Sequence, residues 1–246
     1  MINIVIPMAG AGSRFAQAGY EKPKPFIDVA GKPMIVRVLE NLAYPNARYI
    51  LIAKKEHLQQ EKELVTWIEK NYNVTFVTVD GLTEGTACTV LFARSLIRSQ
   101  VPVVIANSDQ IIDIKFEDFI NDAKSRKLDG SILTFIDEER NPKWSFAKLD
   151  AEGLVTEVQE KKPISSHATV GIYLFSNGEE FIESVVQMII ENDRVNGEFY
   201  TCPTYNYLIS QGRKVGIYNI QSTQMHGIGT PEDLNRYLIN SHSLHN

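Results

Sequence analysis

Pro7-Met8-Ala9-Gly10-Ala11-Gly12-Ser13-Arg14-Phe15 and, shortly after it, Lys22-Pro23-Lys24-Pro25-Phe26 gather glycines and three cations near the start of the chain. Glycines let the backbone approach an anion closely, and successive exposed N–H groups form a nest for phosphate oxygens. The chain as a whole carries a formal charge of −5, so a basic site must be local. Polyphosphate chemistry is what such residues serve. Attack at a phosphorus builds negative charge on the non-bridging and leaving oxygens, and fixed cations stabilise it. The dinucleotide fingerprint is not met, because Phe15 fills the third small position after Gly10 and Gly12, and no G-x-x-x-x-G-K-[ST] run is present. The plain alternative is a connecting loop with solvated lysines.

Asp109, in Asn107-Ser108-Asp109-Gln110, follows the apolar run Pro102-Val103-Val104-Ile105-Ala106. That placement puts it at the C-terminal rim of a sheet, where open α/β folds bind their ligands. Magnesium prefers one or two protein carboxylates completed by phosphate oxygens and water, so Asp109 is the candidate Mg²⁺ ligand. A turn or N-cap aspartate is the competing reading.

The glycine-rich loop, the Lys22–Phe26 turn and Ala30-Gly31-Lys32-Pro33-Met34 together resemble the signature loop of the sugar-phosphate nucleotidyltransferase family. The resemblance spans nearly the whole chain. It implies a Rossmann-like nucleotidyltransferase fold and transfer of a nucleoside monophosphate from an NTP to a small phosphorylated acceptor, with release of pyrophosphate. By position, Arg14 and Lys24 take the places of the family's triphosphate contacts, with Lys22 the alternative if the register slips by two. Met8, Ala9, Gly10, Gly12 and Ser13 become nucleotide-binding candidates. Asp80-Gly81-Leu82-Thr83-Glu84-Gly85-Thr86-Ala87 resembles the family's Q-x-x-x-x-G-T-A element, which assigns Gly85 and Thr86 to the base. Asp80 stands where many members have glutamine. A carboxylate only accepts hydrogen bonds, which suits the exocyclic amino group of cytosine, so CTP is favoured. Guanine also presents donors and stays open, and Asp-Gly is equally a turn dipeptide.

Asp109 matches the family's first metal position. The second, in a W-x-D-x-G-T segment, falls on Gly227 of Met225-His226-Gly227-Ile228-Gly229-Thr230. A second protein ligand is therefore missing or comes from elsewhere, and His226 reads as a positioning or packing residue. On the acceptor side, Glu160-Lys161-Lys162-Pro163 resembles the family's E-K-P element, whose lysine binds the acceptor phosphate; Lys161 is the first choice and Lys162 the second. Asn196-Gly197-Glu198 resembles a further acceptor-side element. Trp144-Ser145 replaces the Y-G of sugar-binding members, which points away from a pyranose. The narrower likeness, through A-N-S-D-Q and G-I-G-T-P-E-D-L, is to capsule-cluster cytidylyltransferases, including those of the CTP:phosphoglutamine type. No general base is needed, since a phosphate dianion is already a nucleophile at neutral pH.

The elements that must hold these residues follow from apolar periodicity. β-branched runs at 3–8, 49–53, 74–79, 101–106 and 131–136 read as strands buried on both faces. Helices are expected from Pro33 as first helical residue, with the stripe Ile35, Val38, Leu39 and Leu42; around Leu64, Val65 and Ile68; from Gly85-Thr86 through Ile97; and over 116–127. After residue 140 come strand-like pieces at 145–149, 154–159 and 169–175, helices near 179–190 and 198–211, a strand at 215–220 and a helix capped by Thr230. The fold class is α/β: one mixed, mostly parallel sheet flanked by helices. One domain covers 1–246, with a nucleotide-binding half at about 1–140 and an acceptor half at about 141–246.

The acidic balance argues against a partner that is nucleic acid or an anionic membrane. Cys88 and Cys202 match neither a disulfide framework nor a zinc spacing, and the start of the chain lacks the pattern of a secretory signal, so a cytoplasmic setting is expected. The oligomeric state, a homo-oligomer included, does not follow from the sequence. Alternatives are a sugar-1-phosphate uridylyl-, thymidylyl- or cytidylyltransferase, a nucleotide-binding regulatory protein without catalysis, and, as a poorer third, an NAD-dependent oxidoreductase.

Overall fold

The computed structural model describes residues 1–243. In chain order the elements are β1 (Ile2–Pro7), α1 (Ser13–Gln17), β2 (Asp28–Val29), β3 (Lys32–Pro33), α2 (Met34–Asn41), β4 (Ala47–Lys54), α3 (Lys55–Gln60), α4 (Lys62–Asn71), β5 (Val74–Val79), α5 (Thr86–Leu91), α6 (Arg94–Ile97), β6 (Val103–Ala106) and β7 (Gln110–Ile112). There follow α7 (Phe116–Ser125), β8 (Gly130–Ile136), β9 (Ser145–Leu149), β10 (Val155–Glu160), β11 (His167–Phe175), α8 (Gly178–Ile190), α9 (Thr204–Ser210), β12 (Val215–Ile220), β13 (Met225–Gly227) and α10 (Pro231–Ser243).

One mixed sheet organises the chain, in the order β10-β9-β11-β6-β1-β4-β5, with β8 added beside β11 and β12 beside β8. The expected α/β class is borne out. β6, β1, β4 and β5 run parallel, so their C-terminal ends share one rim. β11 lies antiparallel to both β6 and β8 and joins the second half of the chain to the first. Side chains alternate across the sheet: Ile4 and Ile6 of β1 enter the hydrophobic layer on one face, Val5 the layer on the other. Helices cover both faces because a sheet buried on both sides needs apolar partners on each.

Four local expectations are corrected. β5 is not buried on both faces; it is an edge strand of the sheet and most of its residues are half-buried or exposed. Pro33 closes the short β2–β3 hairpin and caps α2 rather than opening it, although the stripe of α2 is buried as its spacing requires. The helix from Thr86 does not continue to Ile97 but breaks at Phe92-Ala93, giving α5 and α6. Residues 198–203 are not helical; α9 begins only at Thr204, and the preceding stretch pairs with the Gly85 segment. Thr230 does cap α10, accepting from the Asp233 N–H at 3.1 Å.

Candidate active site

The glycine-rich loop leaves β1 at the parallel rim and turns into α1. Gly12 adopts φ +62°, and a Cβ there would come within 3.2 Å of the Lys24 Cβ, so glycine is what lets loop and lysine close on each other. Phe15 is buried against Tyr20, edge to face at 5.1 Å, which fixes α1 where a dinucleotide fold would want a small residue. Lys24 opens a single 3-10 turn whose Pro25 and Phe26 are buried, so its backbone is held by the core while its amine reaches the rim. There it forms an ion pair with Asp109. Lys22 turns away to Glu61, at 3.6 Å, and is exposed, so of the two lysines Lys24 is the one paired with Asp109.

A hollow of about 470 Å³ opens at this place, walled by residues 7–15, Lys24, Thr83, Gly85-Thr86, Asp109 and Glu198. Its far wall depends on a close backbone contact. The Ala87 N–H donates to Phe199 O at 3.1 Å and the Phe199 N–H to Glu84 O at 2.7 Å. Gly85, at φ +121°, faces that backbone, and any Cβ would collide with Phe199. This contact brings Glu198 to the first hollow, and the Glu84 carboxylate pairs with Arg194 at 2.8 Å behind it.

A second hollow of about 590 Å³ adjoins the first, and Arg14, Lys24, Thr86, Asn107, Asp109 and Gly229 line both. Its other side carries Lys143, Trp144, Ser145, Glu160, Lys161 and Tyr200. Gly171 marks a register shift in β11; it has φ +89°, a Cβ there would collide with the Asn107 side chain, and the Asn107 backbone N–H donates to Gly171 O at 2.9 Å. Lys161 donates to the Tyr200 hydroxyl at 2.6 Å and lies 4.5 Å from its ring centroid. Lys161 is held at φ +54°, an uncommon conformation for a lysine. Glu160, only 8% exposed, accepts from the Ser145 hydroxyl. Burial pushes its carboxyl pKa up and nearby Glu198 adds to the rise, against the lowering effects of Ser145 and Lys161.

Of the residues singled out in sequence, Met8, Ala9, Gly10, Gly12, Ser13, Arg14, Lys24, Gly85, Thr86 and Asp109 meet around the first hollow. Glu160 and Lys161 line the second. Asp80 is exposed and lines neither; Leu82 and Thr83 face the first hollow in its stead. Lys162 is exposed and also outside both. Glu198 stands on the first hollow, not the second. His226 bonds Asp113 at 2.7 Å and packs near Tyr237. Sequence reasoning missed Asn107, Tyr200 and Thr201. Asn107 was within reach, since it sits with Asp109 where β6 ends; nothing local marks the other two.

A glycine-rich loop at the end of the first strand, cations and a carboxylate at the parallel rim, and a second hollow sharing that wall define an α/β fold with two adjoining hollows at one end of its sheet. The family model described as nucleotidyl transferase matches residues 4–230, and the chain belongs to that family. The resemblance read from the signature loop is borne out. The catalytic subunit beta of mannose-1-phosphate guanylyltransferase from Drosophila pseudoobscura pseudoobscura is 27% identical over 176 residues, covering 70% of this chain and 47% of that protein. The bifunctional protein GlmU of Methanocaldococcus jannaschii is 25% identical over 246 residues, 97% of this chain and 54% of its own. The chain thus spans about half the length of these curated relatives. The crystal structure of the nucleoside-diphosphate-sugar pyrophosphorylase from Vibrio cholerae RC9 superimposes with a TM-score of 0.83 at 25% identity, covering 96% of this chain and 99% of that one.

Proposed function

We propose that this chain transfers the nucleoside monophosphate of an NTP to a small phosphorylated acceptor and releases pyrophosphate. The observation that carries the reading is the wall common to both hollows, on which Lys24 and Asp109 are paired. A triphosphate in the first hollow and an acceptor phosphate in the second would meet there. Gly10, Gly12 and Ser13 offer backbone N–H groups to the phosphates, while Arg14 and Lys24 hold the charge that grows on the α-phosphate and the leaving pyrophosphate. Lys161, steadied on Tyr200, draws in the acceptor phosphate and offsets its repulsion from the nucleotide. The acceptor phosphate attacks the α-phosphorus in line, and the bond to the β-phosphate oxygen breaks.

Asp109 is the residue that would hold Mg²⁺, which when bound supplies further neutralisation of the phosphates. Residues 1 to about 140 then serve the nucleotide and those beyond about 141 the acceptor, with Glu198 crossing over to the nucleotide side. No described helix is long and apolar enough to cross a membrane; the cytoplasm is the setting we assign.

The finer reading is CMP transfer to phosphoglutamine in capsule biosynthesis. It rests on the A-N-S-D-Q and G-I-G-T-P-E-D-L segments and on the acceptor-only character of Asp80, which at present stands off the pocket wall. The names of the relatives favour sugar 1-phosphates as acceptors instead. The experiment is a matrix of the four NTPs against mannose, glucose and N-acetylglucosamine 1-phosphates, phosphocholine and phosphoglutamine, read as pyrophosphate release. Release with CTP and phosphoglutamine alone would support the finer reading. Release with GTP, UTP or dTTP and a sugar 1-phosphate would replace it. Nucleotide binding without release in any pair would make the chain a nucleotide sensor.

A further inference from the structure

Gly227 and Gln110 are cross-strand partners in the β13–β7 pair. The Gln110 side chain therefore stands beside the space that a side chain at Gly227 would fill. Gln110 is 9% exposed and its Oε1 is buried without a hydrogen-bond partner. The Asp233 carboxylate, from the first turn of α10, comes to the same space. A Cβ on Gly227 would have Asp233 Oδ2 and Gln110 Oε1 as its neighbours, each 3.9 Å away. Asp233 Oδ2 has only the Thr230 hydroxyl as donor and Gln110 Oε1 has none, and a buried, unpaired oxygen beside a carboxylate is an arrangement that a cation relieves.

The neighbouring space belongs to Asp109. Two residues on from Gly227, a Cβ on Gly229 would collide with the Asp109 carboxylate. Between them the Ile228 side chain is fully buried and its N–H donates to Asp109 O at 2.9 Å. Asp109, beside Gly229, and Gln110 and Asp233, beside Gly227, all line the second hollow. Among the described residues no group of three or more His, Cys, Asp and Glu side chains could hold a metal alone. Two carboxylates and an amide oxygen suit instead a cation whose remaining ligands are phosphate oxygens and water.

We propose that Asp233 and Gln110 supply the oxygen ligands that Gly227 cannot, forming with Asp109 a divalent-cation site between the two hollows. The proposal rests on the transferase reading of those hollows. Asp233 also has a structural task. Its Oδ2 accepts from the Thr230 hydroxyl at 2.9 Å, and its Oδ1 lies 3.7 Å from Arg236. The test must therefore separate a ligand from a helix cap.

Mn²⁺ is titrated into the full chain, alone and with inorganic triphosphate, and free ion is read by electron paramagnetic resonance while thermal melts report stability. Asp233→Asn and Gln110→Ala are each expected to weaken Mn²⁺ binding by about tenfold or more in the triphosphate arm. Thr230→Ala, which removes the cap and keeps the carboxylate, should lower the melting temperature and leave Mn²⁺ affinity unchanged. Gly227→Asp placed in the Asp233→Asn background should restore binding, since the space at Gly227 admits a side chain. Wild-type affinity in Asp233→Asn, equal losses in Thr230→Ala and Asp233→Asn, or no recovery with Gly227→Asp would each overturn the site. So would a Gln110→Ala variant that melts earlier but binds Mn²⁺ normally, because the amide would then be donating to Asp233. Should the Mn²⁺ pattern hold while no acceptor yields pyrophosphate, the transferase reading falls and the cation site stands.

Discussion

Lys24 and Asp109, 85 positions apart in sequence, neutralise each other on the wall between the two hollows. Both side chains are 21% exposed, so the pair is partly screened and adds on the order of 1 kcal/mol or less to stability. Its weight lies in poise. On the transferase reading, an arriving phosphate would recruit the lysine and leave the carboxylate free for a cation.

The first prediction follows from that poise. Lys24→Ala and Asp109→Ala should each lower the rate of pyrophosphate release by roughly 100- to 1000-fold, the scale for losing one fixed charge at a developing anion. Their melting temperatures should stay within about 5 °C of wild type, because a screened pair holds little of the fold. Parallel turnover and melting measurements decide it; rates near wild type in both variants would remove the mechanism.

The parallel half of the sheet and the loop it carries were legible because local pattern and position coincide there. β-branched runs mark β1, β4 and β6, and the glycines and cations fall directly after the first of them. β5 was misjudged because an edge strand and a central one can share the pattern of Val74–Val79, and only pairing tells them apart. The second hollow was read less well for a different reason. Tyr200 and Thr201 reach the site through the Phe199 contact with Glu84 and Ala87, a link between segments far apart in sequence that no local period encodes. Asp80 differs in the opposite way: its residue type suits a base, yet the bend after β5 leaves it exposed and off the walls of both hollows.

Lys161 and Lys162 are adjacent yet should behave differently. Only Lys161 lines the second hollow, where Tyr200 fixes its amine. Lys161→Ala is expected to raise the KM for the phosphorylated acceptor by roughly 10-fold or more, on the scale of a charge-assisted contact to phosphate. Lys162→Ala and Lys22→Ala should change neither KM by more than about twofold, the range of ordinary surface substitutions. Steady-state kinetics with the acceptor varied makes the comparison, and equal effects at 161 and 162 would contradict the placement.

Gly85→Ala should act on the fold and the nucleotide together. The position has φ +121° and abuts the Phe199 backbone, so a methyl group there meets main chain that cannot rotate out of its way. Destabilisation of about 2–4 kcal/mol is expected, together with weaker nucleotide binding because the Thr86 wall moves. Denaturant unfolding gives the first quantity and nucleotide titration the second. An unchanged unfolding midpoint would mean that the close contact with Phe199 does not exist in solution.

Glu160 makes the second hollow sensitive to pH in a direction that can be worked out. Its folded pKa lies above the ordinary 4.5, chiefly because burial disfavours the charged form. The folded state therefore holds this proton more tightly than the unfolded chain does. Its contribution to stability is full below about pH 4.5 and is lost as pH rises through the raised value. Glu160→Gln cannot titrate and still accepts from the Ser145 hydroxyl through its amide oxygen. The melting temperature of the variant relative to wild type should accordingly increase between about pH 5 and about pH 8. A difference that stayed constant across that range would show that Glu160 titrates as it would in water, and that the hollow is wetter than its 8% exposure indicates.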